Sequence, residues 1–495
     1  MRYMKWLTVV LAVLLTAPGV FAKKNVLLIM TDDLNDYLGA YGHPVVQTPN
    51  IDKLAAGGMT FQNAYCQFAL CGPSRNSMMS GLYPDQTGLY DLRTLLRDHV
   101  PDAVTMSQYF MNNGYTAARV GKIFHYDNPG AIGTNGHDDP LSWNVRVNPK
   151  GRDKDIEEQG LIEAITDKKS YGAQLSWYAD PTGRDEEHTD GMVATESIKL
   201  MQKFVKEGQP FFLAVGFFKP HTPYISPKKY FDLYDSSTIK VPTVPDGYFD
   251  TIPKPAVKSL ISNKSEFEMP DETAKKAIQA YWAAISFLDA QVGRLLDALD
   301  QTGQRDNTII LFSSDHGYHM GEHKHYKKTT LFEESDRVPL IVAAPGMKHR
   351  GEQTGALVEM VDFYPTLSEL AGLPRPGKIA GVSFAPVLQD PAARVRDSAL
   401  TQLKNGNGYS IRTDRYRYTR WEEGGEDMIE LYDWQSDPDE MKNLARNPEH
   451  KNLVAKMDAV WQERVSAAKA RPKGLRFVQP PSEKPKEKTG KKQKK

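Results

Sequence analysis

Five short apolar runs stand out along the chain: NVLLIM (Asn25–Met30), TAARV (Thr116–Val120), FFLAVGFF (Phe211–Phe218), TIILFSS (Thr308–Ser314) and PLIVAA (Pro339–Ala344). Their apolar residues are continuous rather than alternating, the pattern of strands buried on both faces in a parallel sheet. Between them lie helical periods. In DETAKKAIQAYWAAISFLDAQVGRLLDALDQTG, residues Ile278, Tyr281, Ile285, Leu288, Val292, Leu295 and Leu299 recur on one face, and Gly303 supplies a stop. VTMSQYFMNNG and ESIKLMQKFVKEG predict shorter helices, each closed by a glycine. Strands alternating with helices define an α/β layer architecture.

After about Pro386 the pattern changes. NGYSIRTDRYRYTRW and DMIELYDW alternate apolar and polar residues, as antiparallel strands with one wet face do, and EHKNLVAKMDAVWQERVSAAKA predicts a last helix. The expected organisation is therefore a large α/β unit over 23–386, a smaller α+β subdomain over 387–475, and a Lys- and Pro-rich tail over 476–495. The tail has too little apolar surface to bury and is expected to be disordered. No solenoid or propeller period is present.

Residues 1–22 carry a basic start at Arg2 and Lys5, a short apolar run from Leu7 to Leu15, and a small-residue cleavage context at Val20-Phe21-Ala22. This pattern predicts a signal peptide and hence an exported protein, periplasmic or secreted. No later stretch is long and apolar enough for a membrane span. With 40% hydrophobic residues, 25% charged residues and a formal net charge of zero, the composition gives no reason to expect a nucleic-acid partner. The two cysteines are Cys66 and Cys71. An oxidising compartment makes a bridge between them conceivable, but one closing so small a loop would stabilise little.

Chemistry gathers where the apolar runs end. NVLLIM leads into Asp32-Asp33, TAARV into Lys122 and His125, FFLAVGFF into His221, and TIILFSS into Asp315-His316 with Lys328 beyond. Open α/β sheets bind ligands at the carboxyl ends of their strands. Carboxylates from separate buried strands brought to one place call for a cation, and oxygen donors suit a hard divalent ion. Asp32-Asp33 could alternatively be a turn with a helix N-cap, and Asp315-His316-Gly317 only a turn. After Cys71, PSRNSMMSGL predicts a helix with Pro73 in its first turn, placing Cys71 at an anion-favouring N-terminus and Arg75 one turn in. A thiol there could be a low-pKa nucleophile, although an oxygen nucleophile would suit a hard metal better.

These residues carry a resemblance. C-G-P-S-R followed by GLYPDQTG resembles the signature of the type I sulfatases, whose cysteine is oxidised to Cα-formylglycine by a formylglycine-generating enzyme. MTDDL, GYTAARVGKIFH, GFFKPH and SSDHGYHMGEH match further blocks of that family in order and spacing, over nearly all of the chain after the signal peptide. FFLAVGFFKPHTPY, LVEMVDFYPTLSELAGLP and GYSIRTDRYRYTRW look most like the iduronate-2-sulfatase branch.

The resemblance implies an alkaline-phosphatase-like fold, with a large mixed sheet between helices and a smaller C-terminal antiparallel sheet. It implies one calcium ion held by Asp32, Asp33, Asp315, His316 and the modified Cys71. It further implies a catalytic set of Cys71, Arg75, Lys122, His125, His221 and Lys328 acting on a sulfated carbohydrate, with a 2-O-sulfated uronate as the expected substrate in polysaccharide degradation. Two other readings remain open on the residues: a phosphatase or phosphonate monoester hydrolase of the same superfamily, and a non-catalytic binder of sulfated glycans. For the sugar, His137-Asp138-Asp139 and Arg412, Arg415 or Arg417 are candidate contacts, against the alternative that they are ordinary solvated loop charges. NPKGRDKDIEEQGLIEAITDKKS reads as an exposed insertion.

Overall fold

The computed structural model describes residues 23–261, 264–267, 269–403, 408–421 and 425–478. The predicted signal peptide and the tail beyond residue 478 lie outside the described residues. The chain first lays down β1 (Asn25–Asp32), β2 (Met59–Tyr65), β3 (Thr116–Gly121) and β4 (Val145–Val147). An excursion forms β5 (Glu163–Ala164) and β6 (Ser176–Asp180) before β7 (Phe211–Pro220), which is followed by β8 (Tyr224–Pro227). Next come β9 (Thr308–Ser314), β10 (Leu340–Ala343) and β11 (Glu352–Glu359). The last strands are β12 (Ala399–Leu403), β13 (Gly408–Arg412), β14 (Tyr416–Trp421) and β15 (Ile429–Asp433).

The large sheet has the order β11-β2-β10-β9-β1-β7-β3-β4. Its central strands β9, β1, β7 and β3 are mutually parallel. Both faces of β1 are covered, which is why its apolar run is unbroken. Leu27 and Ile29 pack among Ile278, Leu288, Leu295 and Met201, from the helices Asp271–Gln301 and Thr189–Lys206. Val26, Leu28 and Met30 face Met78, Met79, Phe110 and Phe363 from helices on the other side. Each such fully buried side chain contributes about 1.5–3 kcal/mol relative to exposure.

PLIVAA is a buried strand as expected, but it is not parallel: β10 runs antiparallel to both β9 and β2. Burial on both faces does not encode direction. Between β9 and β10 the chain makes only short helical turns, with no long crossover helix, so it returns beside β9 in the opposite sense. Sequence patterning also passed over β2 and β11. The half-polar stretches MTFQNAY and EQTGALVE pair in parallel at the edge of the sheet.

The C-terminal strands form the expected antiparallel sheet in the order β12-β13-β14-β15, with the helix Lys451–Lys469 packed on it through Met457, Trp461 and Val465. The stretch read as an exposed insertion is only partly so. It forms the helix Arg152–Glu158, buries Asp153, Ile156 and Ile162, and supplies β5 to a small sheet ordered β5-β6-β8. Arg476 to Val478, at the start of the stretch read as disordered, are docked. The amide of Arg476 donates to Asp102 Oδ1 (2.9 Å), that of Val478 donates to the carbonyl of His99 (2.8 Å), and Phe477 packs on Leu89 and Leu96. Among the described residues, no helix is long and apolar enough to cross a membrane.

Candidate active site

Because β9, β1, β7 and β3 are neighbours and parallel, their carboxyl ends open on one edge. That edge receives Asp315 and His316, then Asp32 and Asp33, then His221, then Lys122 and His125. The helix Cys71–Ser80, buried along its whole length, points its first residue into the same place. Pro73 occupies its first turn, and Gly81, at φ 67°, ends it with its amide donating to the Ser77 carbonyl (2.8 Å). Lys122 can leave β3 close against β7 because two glycines face each other there. A Cβ on Gly216 would lie 2.0 Å from the Lys122 carbonyl oxygen, and one on Gly121 would lie 2.2 Å from that of Gly216.

Arg75 organises the centre. Its Nε donates to Asp315 Oδ2 (2.9 Å), and Nη2 donates to Asp32 Oδ1 (3.1 Å) and the Thr31 carbonyl (2.9 Å). Nη1 donates to the carbonyls of Lys122 (2.9 Å) and Ile123 (3.2 Å). A guanidinium has five N–H hydrogens, so Arg75 is saturated by the protein and acts by holding Asp32 and Asp315. Lys122 Nζ lies 2.5 Å from Asp32 Oδ2, and Lys328 Nζ lies 2.7 Å from each oxygen of Asp33. The amides of Asp33 and His316 both donate to Asp315 Oδ1 (3.1 Å each). Asp33 is held at φ 64°, a left-handed conformation that Asp tolerates better than most side chains.

Cys71 Sγ is 3.3 Å from His316 Nε2, whose other ring nitrogen faces the Gly317 carbonyl at 2.8 Å. Asp33, Cys71 and His316 form one group of donor atoms within 4.8 Å of one another, and Asp32, Cys71 and Asp315 form a second. Three carboxylates and an imidazole around one point make a donor set that suits a hard divalent cation. Cys66 and Cys71 are both free.

Electrostatics follow from burial and from the three cations. Burial alone would raise the Asp32 carboxyl, but Lys122, Arg75 and Lys328 outweigh it and hold Asp32 well below the usual carboxylate range. At Asp33 burial prevails over Lys328 and the carboxyl is pushed up. Burial also pushes the Cys71 thiol well above the usual cysteine range, against the low-pKa thiolate that its helix position alone suggested. His221 is driven well down by burial and by Lys328, and His125 falls to about 3 through burial and Lys122.

His221 Nδ1 faces the Thr222 carbonyl at 2.5 Å, and its Nε2 looks toward Asp33 Oδ2 at 3.7 Å. His125 Nε2 is 3.3 Å from Asp127 Oδ1. All the residues read as catalytic or metal-binding thus gather at one end of the sheet.

The candidate sugar contacts do not. Asp138 is paired with Arg119 (2.8 Å) and Trp143 Nε1 (3.0 Å), and Asp139 with Arg97 (2.8 Å). Arg417 is buried among Glu333, Asp336 (2.7 Å) and Glu440 (2.6 Å), while Arg412 is buried 3.3 Å from Glu333. Arg415 pairs with Asp433 at 2.6 Å. These charges find partners within the protein, a pairing across elements that local sequence could not show. Of these candidates, His137 remains near the chemistry, with its ring centroid 5.5 Å from that of His125.

Sequence reasoning missed several supporting groups. Ser74 Oγ donates to the Asp315 carbonyl (2.5 Å). Tyr281, read only as a core-facing helical residue, donates its hydroxyl to the Asp33 carbonyl (2.7 Å) and accepts the Asn35 amide (3.1 Å). Asp190 accepts the amides of Phe218 (2.9 Å) and Lys219 (2.8 Å) just before His221. No local pattern announces such long-range contacts. Only Ser74, inside the pentapeptide, lay in a motif.

The large mixed sheet between helices, with its smaller C-terminal antiparallel sheet, has the alkaline-phosphatase-like architecture. The chain belongs to the sulfatase family: the family model described as Sulfatase matches residues 24–373, and that of the N-sulphoglucosamine sulphohydrolase C-terminal region matches 321–466. It is 35% identical to a sulfatase of Formosa agariphila over 89% of this chain and 88% of that protein. To human iduronate 2-sulfatase it is 33% identical, over 85% and 90% of the two chains. Among solved structures, a 2-O GAG sulfatase superposes with a TM-score of 0.70 at 24% identity, covering 92% of this chain and 95% of that one. The phosphonate monoester hydrolase of Agrobacterium radiobacter superposes at 0.74 with 22% identity, over 90% and 96%.

Proposed function

We propose that this protein removes O-sulfate from a sulfated sugar, a 2-O-sulfated uronate in polysaccharide degradation. On this reading it acts outside the cytoplasm, after a formylglycine-generating enzyme has converted Cys71 to Cα-formylglycine. The observation that carries the chemistry is the convergence of Asp32, Asp33, Asp315 and His316 on Cys71, with Arg75, Lys122 and Lys328 around them. The similarity to iduronate 2-sulfatase supports the choice of sugar.

Asp32, Asp33, Asp315 and His316 would hold a calcium ion, which when bound supplies positive charge for the sulfate oxygens and for an ionised nucleophile. The hydrated aldehyde at position 71 supplies a hydroxyl nucleophile and, in its second hydroxyl, a means of returning to the aldehyde. Arg75 keeps Asp32 and Asp315 in fixed orientation, so the charges need no rearrangement during reaction. Lys122, on Asp32, and Lys328, on Asp33, neutralise negative charge, Lys328 at the sulfate group. His221 holds a proton at Nε2 for the departing sugar oxygen, its Nδ1 being occupied by the Thr222 carbonyl. A bound anionic ester opposes the effect of burial and Lys328 on that ring, which lets Nε2 carry the proton. His125 takes the proton released when the aldehyde is restored.

The test is sulfate release from a panel of defined sugars by protein matured with a formylglycine-generating enzyme, with Cys71→Ala as blank. The expected result is turnover of the terminal 2-O-sulfated uronate and none by the alanine variant, whose circular dichroism stays unchanged. Undiminished activity in Cys71→Ala would overturn the mechanism. Turnover of a different sugar would keep the chemistry and discard the substrate. A matched phosphate ester belongs in the panel, because the likeness to a phosphonate monoester hydrolase favours a second reading in which phosphorus replaces sulfur.

A further inference from the structure

We propose that His325 is the positioning residue of Lys328: its Nε2–H holds the Lys328 backbone and thereby aims the ammonium group at the sulfate position. The proposal rests on the reading above, in which Lys328 neutralises the sulfate group. A lysine ammonium is a point charge on a flexible four-carbon stem, so its placement depends on how firmly its Cα is fixed. Residues 325–330 form no regular secondary structure, and nothing intrinsic to the segment holds Lys328 still.

Three hydrogen bonds do. The Lys327 carbonyl accepts the His319 amide (2.7 Å), and the Thr329 amide donates to the Ala69 carbonyl (3.1 Å), two residues before Cys71. The carbonyl of Lys328 itself is held by a side chain, His325 Nε2, at 3.0 Å. From this anchor Lys328 Nζ reaches both oxygens of Asp33 and lies 5.7 Å from the centre of the Tyr318 ring.

The other nitrogen of His325, Nδ1, is 2.8 Å from the carbonyl of Leu260, the last residue of the helix Lys254–Leu260. Both ring nitrogens of His325 thus face carbonyl oxygens, one in the lysine loop and one at a neighbouring helix end. Its ring is buried edge-on against His319, with centroids 5.1 Å apart, and His319 Nε2 is itself fixed on Thr330 Oγ1 at 2.9 Å. Burial keeps the His325 imidazole neutral, lowering it to about 4. A neutral imidazole donates one hydrogen, so the two carbonyls compete for it. The proposal assigns that hydrogen to Nε2.

Two substitutions separate the roles. The Gln side-chain amide reaches where Nε2 stands, and the Asn amide where Nδ1 stands. The experiment measures KM and kcat on 4-nitrocatechol sulfate, together with inorganic sulfate binding by calorimetry, for His325→Gln, His325→Asn, Lys328→Ala and the double variants. Melting temperatures report any general loss of structure. His325→Asn is expected to weaken sulfate binding and raise KM about tenfold, the scale of losing one hydrogen bond, with His325→Gln close to wild type. In the Lys328→Ala background, His325→Asn is expected to add nothing further. Equal effects of Gln and Asn, or an undiminished effect of Asn in the Lys328→Ala background, would overturn the proposal. Wild-type sulfate binding in Lys328→Ala alone would overturn its premise instead. Failure of the wild-type enzyme to turn over any ester, with sulfate binding still dependent on His325, would count against the sulfatase reading and leave the positioning intact.

Discussion

Replacing Arg75 with lysine keeps the positive charge and removes the geometry, so it asks which of the two the site uses. In the structure all five N–H hydrogens of Arg75 are engaged, by two carboxylates and three backbone carbonyls. A lysine has three hydrogens at a single nitrogen and cannot span the set, so at least two buried acceptors lose their donor. An unsatisfied buried acceptor costs about 1–3 kcal/mol, which gives a destabilisation of about 2–6 kcal/mol, readable as a lower urea midpoint at unchanged slope.

Asp32 and Asp315, released from the fork, also lose their fixed orientation. A displacement of about 1 Å in such a group can cost about a hundredfold in rate, so kcat/KM on a sulfated sugar should fall by about that factor or more. The two assays are read together with calorimetric calcium binding, which should weaken in parallel. A lysine variant within about threefold of wild-type activity and within 1 kcal/mol of its stability would refute the argument. Charge alone, rather than a saturated guanidinium, would then suffice at this position.

Other outcomes follow from the same geometry. His221→Ala should cost about 10²–10⁴-fold on a sugar sulfate, whose leaving alkoxide needs a proton, and far less on 4-nitrophenyl sulfate; equal losses on both would remove His221 as the acid. Chelation followed by dialysis should lower both activity and melting temperature, with calcium restoring them together, whereas full activity in thoroughly chelated protein would exclude the ion from the reaction. Asp190, raised by burial to about 7, binds its proton more tightly in the folded chain than in the unfolded one. Its contribution to stability is therefore fully present below the ordinary carboxylate value and is lost as pH rises toward 7. The wild-type protein should lose stability relative to Asp190→Asn by about 1 kcal/mol per pH unit across pH 4–7, as urea titrations at several pH values would show. A difference that stays flat over that window would contradict the raised carboxyl.

Much of the candidate active site was legible because its residues follow strand ends. The five apolar runs mark real strands, and the charged residues after four of them, Asp32-Asp33, Lys122 and His125, His221, and Asp315-His316, meet on one edge. Parallel neighbours present the same ends together, so local order along the chain becomes proximity in space. The misjudged charges had no such local signal. Arg412 and Arg417 lie on alternating strands where either face could have been wet, and only the docking of Glu333, Asp336 and Glu440 against them made the charged face an interior one. Tyr281 shows the converse: its helical spacing placed it correctly in the core, but its hydroxyl works on the Asp33 backbone.

What the sequence by itself determined is the set of chemical parts and the local elements that carry them: buried strands, the helix opening at Cys71, and the acidic, basic and imidazole groups beyond each strand. These follow from hydrophobic period, turn residues and side-chain chemistry, all of which act over a few positions. Tertiary structure alone decided the direction of β10, the partners of Asp138, Asp139, Arg412 and Arg417, the saturation of Arg75 and the grip of His325 on Lys328. Each of these depends on groups distant in the chain meeting in a medium where an unpaired charge or carbonyl is expensive. That cost is settled by packing and has no signature in the local order of residues.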